Sequence, residues 1–237
     1  MSSASASTPG GEASRAVGYL YDANNRLNFS FTLIDAQQVA VEERRYNAAG
    51  RLAKVIRYAD SLMLDLIAPL FKDSAGFLAS HASTEVLAQV SQAYAELAAD
   101  PANRSERFWY DPAGQLRFAV SADGQLSERL YDRNGNEIRR IAYAKPLSPA
   151  DLARADAALN GEIGAKIKTS SGSETAISEP WPGLRAACQS AQDRVSRTVF
   201  DAMNRPIYQI DALGHVTENR YDAAGHLIRQ TRYPTAL

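Results

Sequence analysis

The stretch Tyr221-Asp222-Ala223-Ala224-Gly225-His226-Leu227, near the C-terminus, decides the fold. An aromatic side chain can end a strand and pack on neighbouring strands. An aspartate after it can cap a turn by accepting hydrogen bonds from backbone NH groups ahead of it. Gly225 can adopt positive φ, which suits a short hairpin loop with a bulge. The stretch therefore predicts a strand end, a tight turn and a new strand.

The same pattern occurs five more times, in more or less degraded form. Copies one and five carry Asn where the others carry Gly, and Asn also tolerates positive φ. These copies are Tyr21-Asp22-Ala23-Asn24-Asn25-Arg26-Leu27, Tyr46-Asn47-Ala48-Ala49-Gly50-Arg51-Leu52, Tyr110-Asp111-Pro112-Ala113-Gly114-Gln115-Leu116, Tyr131-Asp132-Arg133-Asn134-Gly135-Asn136-Glu137 and Phe200-Asp201-Ala202-Met203-Asn204-Arg205-Pro206. The residues that define the repeat are Tyr21, Asp22, Tyr46, Gly50, Tyr110, Asp111, Gly114, Tyr131, Asp132, Gly135, Phe200, Asp201, Tyr221, Asp222 and Gly225.

The copies form three pairs, which we call cycles 1, 2 and 3. The two aromatic residues of a pair are 21 positions apart in cycles 2 and 3 and 25 apart in cycle 1. The cycles themselves recur after 89 and 90 positions, from Tyr21 to Tyr110 and from Tyr110 to Phe200. Two nested periods are the signature of a repeat architecture.

The residues after each turn alternate with a period of two. Leu116, Phe118 and Val120 share one face of a strand, and their counterparts lie one long period away in each direction. This pattern predicts a half-buried antiparallel strand with one wet face. A second turn follows within each pair, at residues 35–38, 122–125 and 211–214. Each cycle is therefore expected to be a meander of about four strands.

The segments between the cycles have helical rather than strand periodicity. Ser148-Pro149-Ala150-Asp151 predicts a helix start, with Ser148 as the cap and Asp151 completing a capping box, and a stripe of Leu152, Ala155 and Leu159 before Gly161 ends the helix. The other predictions are a helix over Leu62–Phe71 up to Pro69, a helix over Thr84–Ala99 capped by Thr84 and closed by Pro101, a mobile Ser-rich loop over Thr169–Ser178, and a short helix over Gly183–Arg194.

The inserts begin in register with the repeats. Tyr58, Tyr143 and Tyr233 each lie 12 positions after the second aromatic of their pair, and Leu237 falls where a third insert would start. We therefore expect a piece of a longer repeat array. The predicted organisation is a disordered tail (1–15), repeat pair 1 (16–60), helical insert 1 (61–104), repeat pair 2 (105–145), helical insert 2 with the Ser-rich loop (146–194) and repeat pair 3 (195–237).

Composition excludes several classes of function. A net charge of -1 argues against a dedicated nucleic-acid binder, which would carry a basic patch. No window approaches the length of apolar sequence that spans a membrane, and Met1–Glu12 has neither the basic region nor the apolar core of a signal peptide. The one cysteine, Cys188, allows no internal disulfide and is expected to be a buried hydrophobe.

No residue pattern predicts catalysis, a cofactor or a metal site. His81, His215 and His226 occur singly, and the aspartates are spaced one per hairpin, as turn caps are, rather than in a calcium loop. Asp111-Pro112-Ala113-Gly114 is in phase with every other copy, so we interpret it as an ordinary turn. Tyrosines and arginines on the strands could form a sugar-binding face, but rings at repeat-defining positions are expected to pack between hairpins.

The Tyr-Asp-x-x-Gly pattern of copies three, four and six resembles the YD-repeat, or RHS, family of large bacterial proteins. The resemblance covers residues 16–60, 105–145 and 195–237. It implies antiparallel hairpins that form a curved sheet or partial shell, giving a mainly β fold with helical inserts. The Asp-Pro-x-Gly-Leu self-cleavage element of RHS shells is not matched, because Gln115 precedes Leu116.

The resemblance implies a non-enzymatic structural module that contributes to a β-sheet scaffold. Two alternatives remain open at this point: a carbohydrate- or cell-surface-binding module of an adhesin, and part of a toxin-encapsulating cocoon. The implied partners are further repeats of a parent chain, with glycans or a toxin cargo as the other options, and neither nucleic acid nor a membrane span is expected. A secreted or cell-surface location is likewise an expectation from the family.

Overall fold

The computed structural model describes residues 17–67, 92, 95, 100, 102–159, 166–168, 174–176 and 181–236. Strands arranged as antiparallel hairpins dominate, and the few helices lie in the inserts. The predicted fold class, mainly β with helical inserts, is thereby confirmed. The chain divides into two compact units, one made of residues 1–45 and 55–104 and the other of residues 46–54 and 105–237.

The first unit contains the strands of cycle 1. These are β1 (Val17–Tyr21), β2 (Leu27–Leu33) and β3 (Gln38–Tyr46), which pair in that order, and a two-residue strand β5 (Leu62–Met63) that pairs with β3. Strand β4 (Leu52–Arg57) runs across the division between the units. Alternate apolar residues of β2 and β3, such as Phe29, Phe31 and Val41, form the core.

The predicted helix over Leu62–Phe71 is wrong at its start. Leu62 pairs with Val39 as a strand residue and buries its side chain in the core, so long-range pairing overrides the local apolar run. Helix α1 is described over Leu64–Ile67. Residues 68–71 lie outside the described residues. So do the predicted tail and most of the predicted helix over Thr84–Ala99, of which residue 92 is helical and residue 95 lies in a turn.

The second unit contains cycles 2 and 3 in one antiparallel sheet. Cycle 2 supplies β6 (Arg104–Tyr110), β7 (Leu116–Val120), β8 (Leu126–Tyr131) and β9 (Glu137–Ala142). Cycle 3 supplies β12 (Arg194–Phe200), β13 (Pro206–Ile210), β14 (Val216–Tyr221) and β15 (Leu227–Arg232). Strand β9 pairs directly with β12, from Ala142 opposite Arg194 to Arg139 opposite Arg197. The two four-strand meanders are therefore joined edge to edge.

The second insert packs two helices on the cycle 2 part of the sheet. Helix α2 (Pro149–Leu159) begins with the predicted capping box: the Asp151 NH donates to Ser148 Oγ over 3.2 Å, and the Ser148 NH donates to Asp151 Oδ2 over 3.3 Å. Helix α3 covers Trp181–Cys188, so the prediction of a helix over Gly183–Arg194 is wrong at both ends. Its C-terminal limit moves because Arg194 is drawn into β12 by pairing with β9.

The predicted loop over Thr169–Ser178 is also partly structured. Strand β10 (Lys166–Lys168) pairs with β11 (Glu174–Ala176) as a separate two-stranded sheet. The remaining residues of that stretch, and Gly161, lie outside the described residues. Beneath the helices, the buried cluster of the second unit comprises Trp109, Phe118, Val120, Leu126, Tyr143, Leu147, Ala155, Leu184 and Cys188.

Candidate functional site

The six turns that the sequence singles out share one backbone geometry. In copy four the Asp132 NH donates to the carbonyl of Asn136 over 3.0 Å, and the Gly135 NH donates to the carbonyl of Asp132 over 3.2 Å. Asp132 Oδ1 accepts from the NH groups of Asn134 and Asn136, both over 2.9 Å. Because the aspartate closes the turn from inside, it is a structural cap rather than an exposed carboxylate free to bind a ligand.

The fifth position of every copy has positive φ. Asn25 and Asn204 have φ of 59° and 60°, and the glycines at the same position lie between 75° and 91°. The strand register shifts at the aromatic residue in the hairpins of copies one, three, four, five and six, which places a bulge there. This combination is the short loop with a left-handed residue and bulge that joins antiparallel strands with the right twist.

Four of the turn carboxylates have a lowered pKa, which favours their ionised form. The side-chain hydrogen bond from Asn136 lowers the pKa of Asp132 below its ordinary value. The backbone NH groups of Arg205 and His226 lower the pKa values of Asp201 and Asp222. At Asp22, burial acts to raise the pKa, but hydrogen bonds from Arg26 outweigh it and the net shift is downward. Hydrogen bonds to a charged carboxylate favour that charged form.

The tyrosine of one copy is tied to the strand of the copy before it. The hydroxyl of Tyr110 donates to the carbonyl of Leu52 over 3.0 Å. In the same way, Tyr131 donates to Leu116 over 2.9 Å and Tyr221 to Pro206 over 3.1 Å. Each acceptor is the seventh residue of the preceding copy. These three tyrosines therefore use their hydroxyls to join consecutive repeats.

Side chains at the sixth position also reach the next copy. Arg205 donates through Nη1 to the carbonyl of Asp222 over 3.3 Å, and its guanidinium lies 4.7 Å from the ring centroid of Tyr221. The guanidinium of Arg51 lies 5.7 Å from the ring centroid of Tyr110. Cation–π contacts of this kind are worth about 0.5–1 kcal/mol at exposed sites. They join copy two to copy three and copy five to copy six at the turn edge of the sheet.

Copies four and five are joined differently, because Phe200 has no hydroxyl. Here the Nδ2 groups of Asn134 and Asn136 both donate to Asn204 Oδ1, each over 2.9 Å. These bonds connect the turn edge of cycle 2 to that of cycle 3. They supplement the β9–β12 pairing at the junction between the two cycles.

A second recurrent feature is a tyrosine–glutamate pair. The hydroxyls of Tyr58, Tyr143 and Tyr233 donate to the Oε2 atoms of Glu43, Glu128 and Glu218 over 2.6, 2.8 and 2.7 Å. Sequence reasoning placed the tyrosines but missed the glutamates. The signal was present, because each glutamate lies three positions before the second aromatic of its pair.

The cycle 2 pair is buried and carries charge partners. Arg185 of α3 donates from Nε and Nη2 to the two carboxylate oxygens of Glu128, each over 2.9 Å, and Arg117 Nη2 lies 2.9 Å from Oε1. Burial acts to raise the pKa of Glu128, but the Arg185 and Tyr143 hydrogen bonds lower it overall. Burial and the bond to Glu128 raise the pKa of Tyr143 well above its ordinary value. The pair thus fastens α3 to the sheet.

Helix α2 is attached to the sheet by an ion pair of reversed polarity, with the cations on the sheet and the carboxylate on the helix. Arg107 of β6 donates to both oxygens of Asp156 over 2.6 and 2.9 Å, and Lys54 Nζ lies 3.1 Å from Oδ2. Burial acts to raise the pKa of Asp156, while Arg107 and Lys54 lower it overall. The sheet therefore presents two cations to α2 and one carboxylate to α3.

The remaining candidate residues are used structurally where the structure describes them. His215 Nδ1 and His226 Nδ1 lie 3.2 and 3.1 Å from the carboxylates of Asp211 and Asp222 in their own turns. The Cys188 thiol is buried against the carbonyl of Leu184, and burial raises its pKa to about 11. His81 lies outside the described residues.

Neither a metal-binding cluster nor a membrane-spanning helix occurs within the described part of the chain. Three or more histidine, cysteine or acidic side chains do not converge there as a metal site would require. The helices of those same residues are too short or too polar to cross a bilayer. Asp111, in the Asp-Pro turn, accepts the Gln115 NH over 2.8 Å, the cap geometry of the other copies.

Comparison with known proteins gives structural likenesses at low similarity. No family model and no curated protein matches the chain. Among solved structures, it is similar to a chain of the Photorhabdus luminescens Tc holotoxin pore, with 12% identity, a TM-score of 0.20, and coverage of 87% of this chain and 11% of that one. It is also similar to chains in the TcdB2-TccC3-Cdc42 and TcdB2-TccC3-TEV structures, each with 11% identity and coverage of 92% and 17%, at TM-scores of 0.20 and 0.21.

The chain spans less than a fifth of the length of each of those toxin-complex chains. We therefore build the proposed function on the internal repeats of this chain.

Proposed function

We propose that this chain is a non-enzymatic structural module of an RHS-type repeat protein, in which hairpin cycles stack edge to edge to extend a sheet scaffold. The observation that carries the proposal is the pairing of β9 with β12, through which one complete cycle continues into the next. The last strand of a cycle can pair in the same way with the first strand of a further cycle.

The chemistry of the repeat residues supports this role. The hydroxyls of Tyr110, Tyr131 and Tyr221 are donated to neighbouring repeats, and the turn carboxylates are occupied by backbone NH groups of their own loops. The recurrence of these residues is accounted for by their role in joining repeats. A catalytic role would instead call for a nucleophile and base within hydrogen-bond reach of each other in a cleft.

Stacked repeats make a specific energetic prediction. In such arrays each unit derives much of its stability from its neighbour, so damage to one interface propagates to the next unit. We therefore expect Ser196→Pro, which removes a backbone donor opposite Arg140 at the β9–β12 junction, to lower hydrogen-exchange protection throughout cycle 3.

The matched control is Ser196→Ala, which keeps the backbone donor and should leave exchange unchanged. If Ser196→Pro left β13 and β14 as protected as in the parent chain, the cycles would be independent modules and the proposal would fail.

A surface-binding module is the second candidate, favoured by the exposed rings of Tyr208 and Tyr233 in cycle 3. Aromatic rings that stack on sugars are the usual basis of such recognition. A glycan array and a pull-down on cell-wall material test this role, with Tyr208→Ala as the control. Binding that this substitution abolishes would favour an adhesin. No binding to any member of a broad panel would favour the scaffold role.

A toxin-encapsulating cocoon is a third form of the same scaffold. The parent reading frame discriminates it: a C-terminal toxin domain would favour a cocoon, and continued cycles of about 90 residues would favour a fibre or adhesin.

A further inference from the structure

The surface of interest is the exposed face of cycle 3 on the side that α2 and α3 cover in cycle 2. We call it the cycle 3 face. Every residue on it has a counterpart 90 positions earlier in cycle 2. It consists of Arg197, Val199, Tyr208, Ile210, Val216, Glu218 and Tyr233.

The backbone frame of this face is the same as that of cycle 2. Tyr208 lies opposite Glu218 on the neighbouring strand, as Phe118 lies opposite Glu128. The Tyr233 NH donates to the carbonyl of Val216 over 2.8 Å, and the equivalent bond in cycle 2 measures 3.0 Å. The cycle 3 face is therefore a complete repeat surface, already folded into the geometry that receives helices one cycle earlier.

The two faces differ in their exposure. Phe118, Trp109 and Tyr143 are 1%, 2% and 6% exposed, whereas their counterparts Tyr208, Val199 and Tyr233 are 40%, 46% and 42% exposed. In cycle 2 the cover is supplied by Ala155 of α2 and by Leu184 and Cys188 of α3. Apolar patches on a sheet that are left open in this way mark interaction surfaces.

The charged residues of the cycle 3 face indicate which charges its binding partner must carry. In cycle 2, Arg107 receives the carboxylate of Asp156 from α2, and Glu128 receives the guanidinium of Arg185 from α3. Cycle 3 repeats both sheet charges, as Arg197 and Glu218, while Arg197 is exposed. A partner with a cation opposite Arg197 and a carboxylate opposite Glu218 would bring like charges together. Such contacts cost several kcal/mol in a desolvated interface.

Glu218 keeps room for a second cation. Its present partners include the Tyr233 hydroxyl and Arg220 Nε, which lies 3.0 Å from Oε1; the side chain of Glu218 is 12% exposed and that of Arg220 is 59% exposed. In cycle 2 two arginines, Arg117 and Arg185, share Glu128 in the same way. The contact with Arg220 is therefore compatible with a further guanidinium.

We propose that the cycle 3 face is a docking surface for an amphipathic helix pair that presents a carboxylate to Arg197 and a guanidinium to Glu218. The occupant is defined by its chemistry, with small and branched apolar side chains between the two charges, as in residues 149–188 of this chain. The proposal does not depend on the scaffold role, but it competes with glycan binding through Tyr208 and Tyr233, because a docked helix pair would cover both rings.

The test grafts a known occupant in register. A second copy of residues 144–193 replaces residues 234–237 and follows Tyr233 directly, which places its cysteine where docking would bury it as Cys188 is buried. A thiol reagent then reports docking. We expect no reactive thiol in the folded fusion and two after denaturation, and we expect protection of β13 and β14 from hydrogen exchange to rise at least tenfold.

Two substitutions decide whether the charges direct docking. Glu218→Lys in the fusion should expose one thiol, because it places a cation against the grafted counterpart of Arg185. Gln209→Ala, on the opposite face of β13 and exposed, should leave both thiols protected. One thiol that reacts freely in the parent fusion, or equal protection in the Glu218→Lys variant, would overturn the proposal.

A second measurement applies if the fusion does not fold. The peptide of residues 144–193 is then added in trans to the full chain, and hydrogen exchange is followed in β13 and β14. Increased protection that Glu218→Lys abolishes supports the proposal, and no change overturns it. A dimer of the unmodified chain that protects Tyr208 would also overturn it, because the occupant would then be a second copy.

Discussion

The hydroxyl of Tyr143 donates to Glu128 Oε2 over 2.8 Å beneath a helix, and the same pair recurs as Tyr233 and Glu218 on an open surface. Glu128 is 4% exposed and is held by Arg185 and Arg117. One interaction thus occurs twice in the same chain, once buried and once accessible to solvent. The two pairs therefore share the same hydrogen bond and differ in their burial.

Glu128→Gln should lower the free energy of unfolding by about 1–3 kcal/mol, because it removes a buried carboxylate charge to which Arg185 and Arg117 donate, both of them partly exposed. Glu218→Gln is the matched control and should cost much less, because its partners Arg220 and Tyr233 are exposed to solvent. Urea unfolding of the two variants checks this. Equal costs would show that the cover over Glu128 does not exclude water.

The tyrosine link between repeats can be removed at one copy and added at another. Tyr131→Phe should cost about 1 kcal/mol of stability, because it deletes the bond to the carbonyl of Leu116. Phe200→Tyr should be neutral or stabilising by up to about 1 kcal/mol, since the other copies place a hydroxyl there. Thermal unfolding compares both. Destabilisation by Phe200→Tyr beyond that of Tyr131→Phe would show that the cycle junction has no room for the hydroxyl.

Asn204 combines a left-handed backbone with a link to the preceding cycle. Asn204→Ala should cost about 1–2 kcal/mol for the positive φ alone, in addition to the lost acceptor for Asn134 and Asn136. Asn204→Gly removes the acceptor without the strain and should cost about 1 kcal/mol less than Asn204→Ala. Chemical unfolding distinguishes them. If the two variants were equally stable, the backbone conformation at this turn would not be strained by an alanine.

Acid should destabilise the protein through its turn carboxylates. Asp132, Asp201 and Asp222 have pKa values lowered by hydrogen bonds that the unfolded chain lacks. A lowered folded-state pKa gives stability that is present above the unfolded value, near 3.8, and is lost as the pH falls through the folded value. The urea midpoint should therefore fall as the pH is lowered from about 5 to about 3.

Asp132→Asn provides the control for this pH dependence, because Asn47 occupies the same position of copy two and its Oδ1 accepts the Arg51 NH over 2.9 Å. The variant should fold at neutral pH and show a shallower acid slope. An unchanged slope would assign the acid sensitivity to other groups, such as Glu128.

The outer strand β15 should promote self-association of the chain. It ends the strand order of its unit, and Leu227 and Ile228 are exposed on it. Exposed strand edges pair with other chains unless charges or bulges prevent it. Ile228→Lys should therefore reduce association in analytical ultracentrifugation, whereas Val199→Lys, on the cycle 3 face, should not. Clean monomeric behaviour of the parent chain would count against this prediction.

Much of the local structure could be predicted from the sequence because it depends on neighbouring residues. The capping box of Ser148 and Asp151 and the alternation of Phe118 and Val120 are satisfied within a few positions of the chain. Asn25 and Asn204 have the positive φ that the repeat indicated, because a tight turn restricts its fifth residue whatever surrounds it.

The features that join distant parts of the chain could not be predicted in the same way. Leu62 reads as helical locally but is a strand residue because β3 offers it a pairing edge. Arg185 shows its role only when α3 brings it to Glu128, 57 positions away. Tyr208 fits the same alternation as Phe118, yet it is exposed, because burial depends on what covers a strand.

The sequence by itself therefore determined the repeat, its turns and its strands, since each is specified by hydrogen bonds and φ angles within a single hairpin. Only the tertiary structure decided how cycles 2 and 3 join, which glutamate each tyrosine binds and which face of cycle 3 stays open. The physical reason is that edge pairing, buried charge and exposure are properties of residues far apart in the chain, which meet only when the sheet has formed.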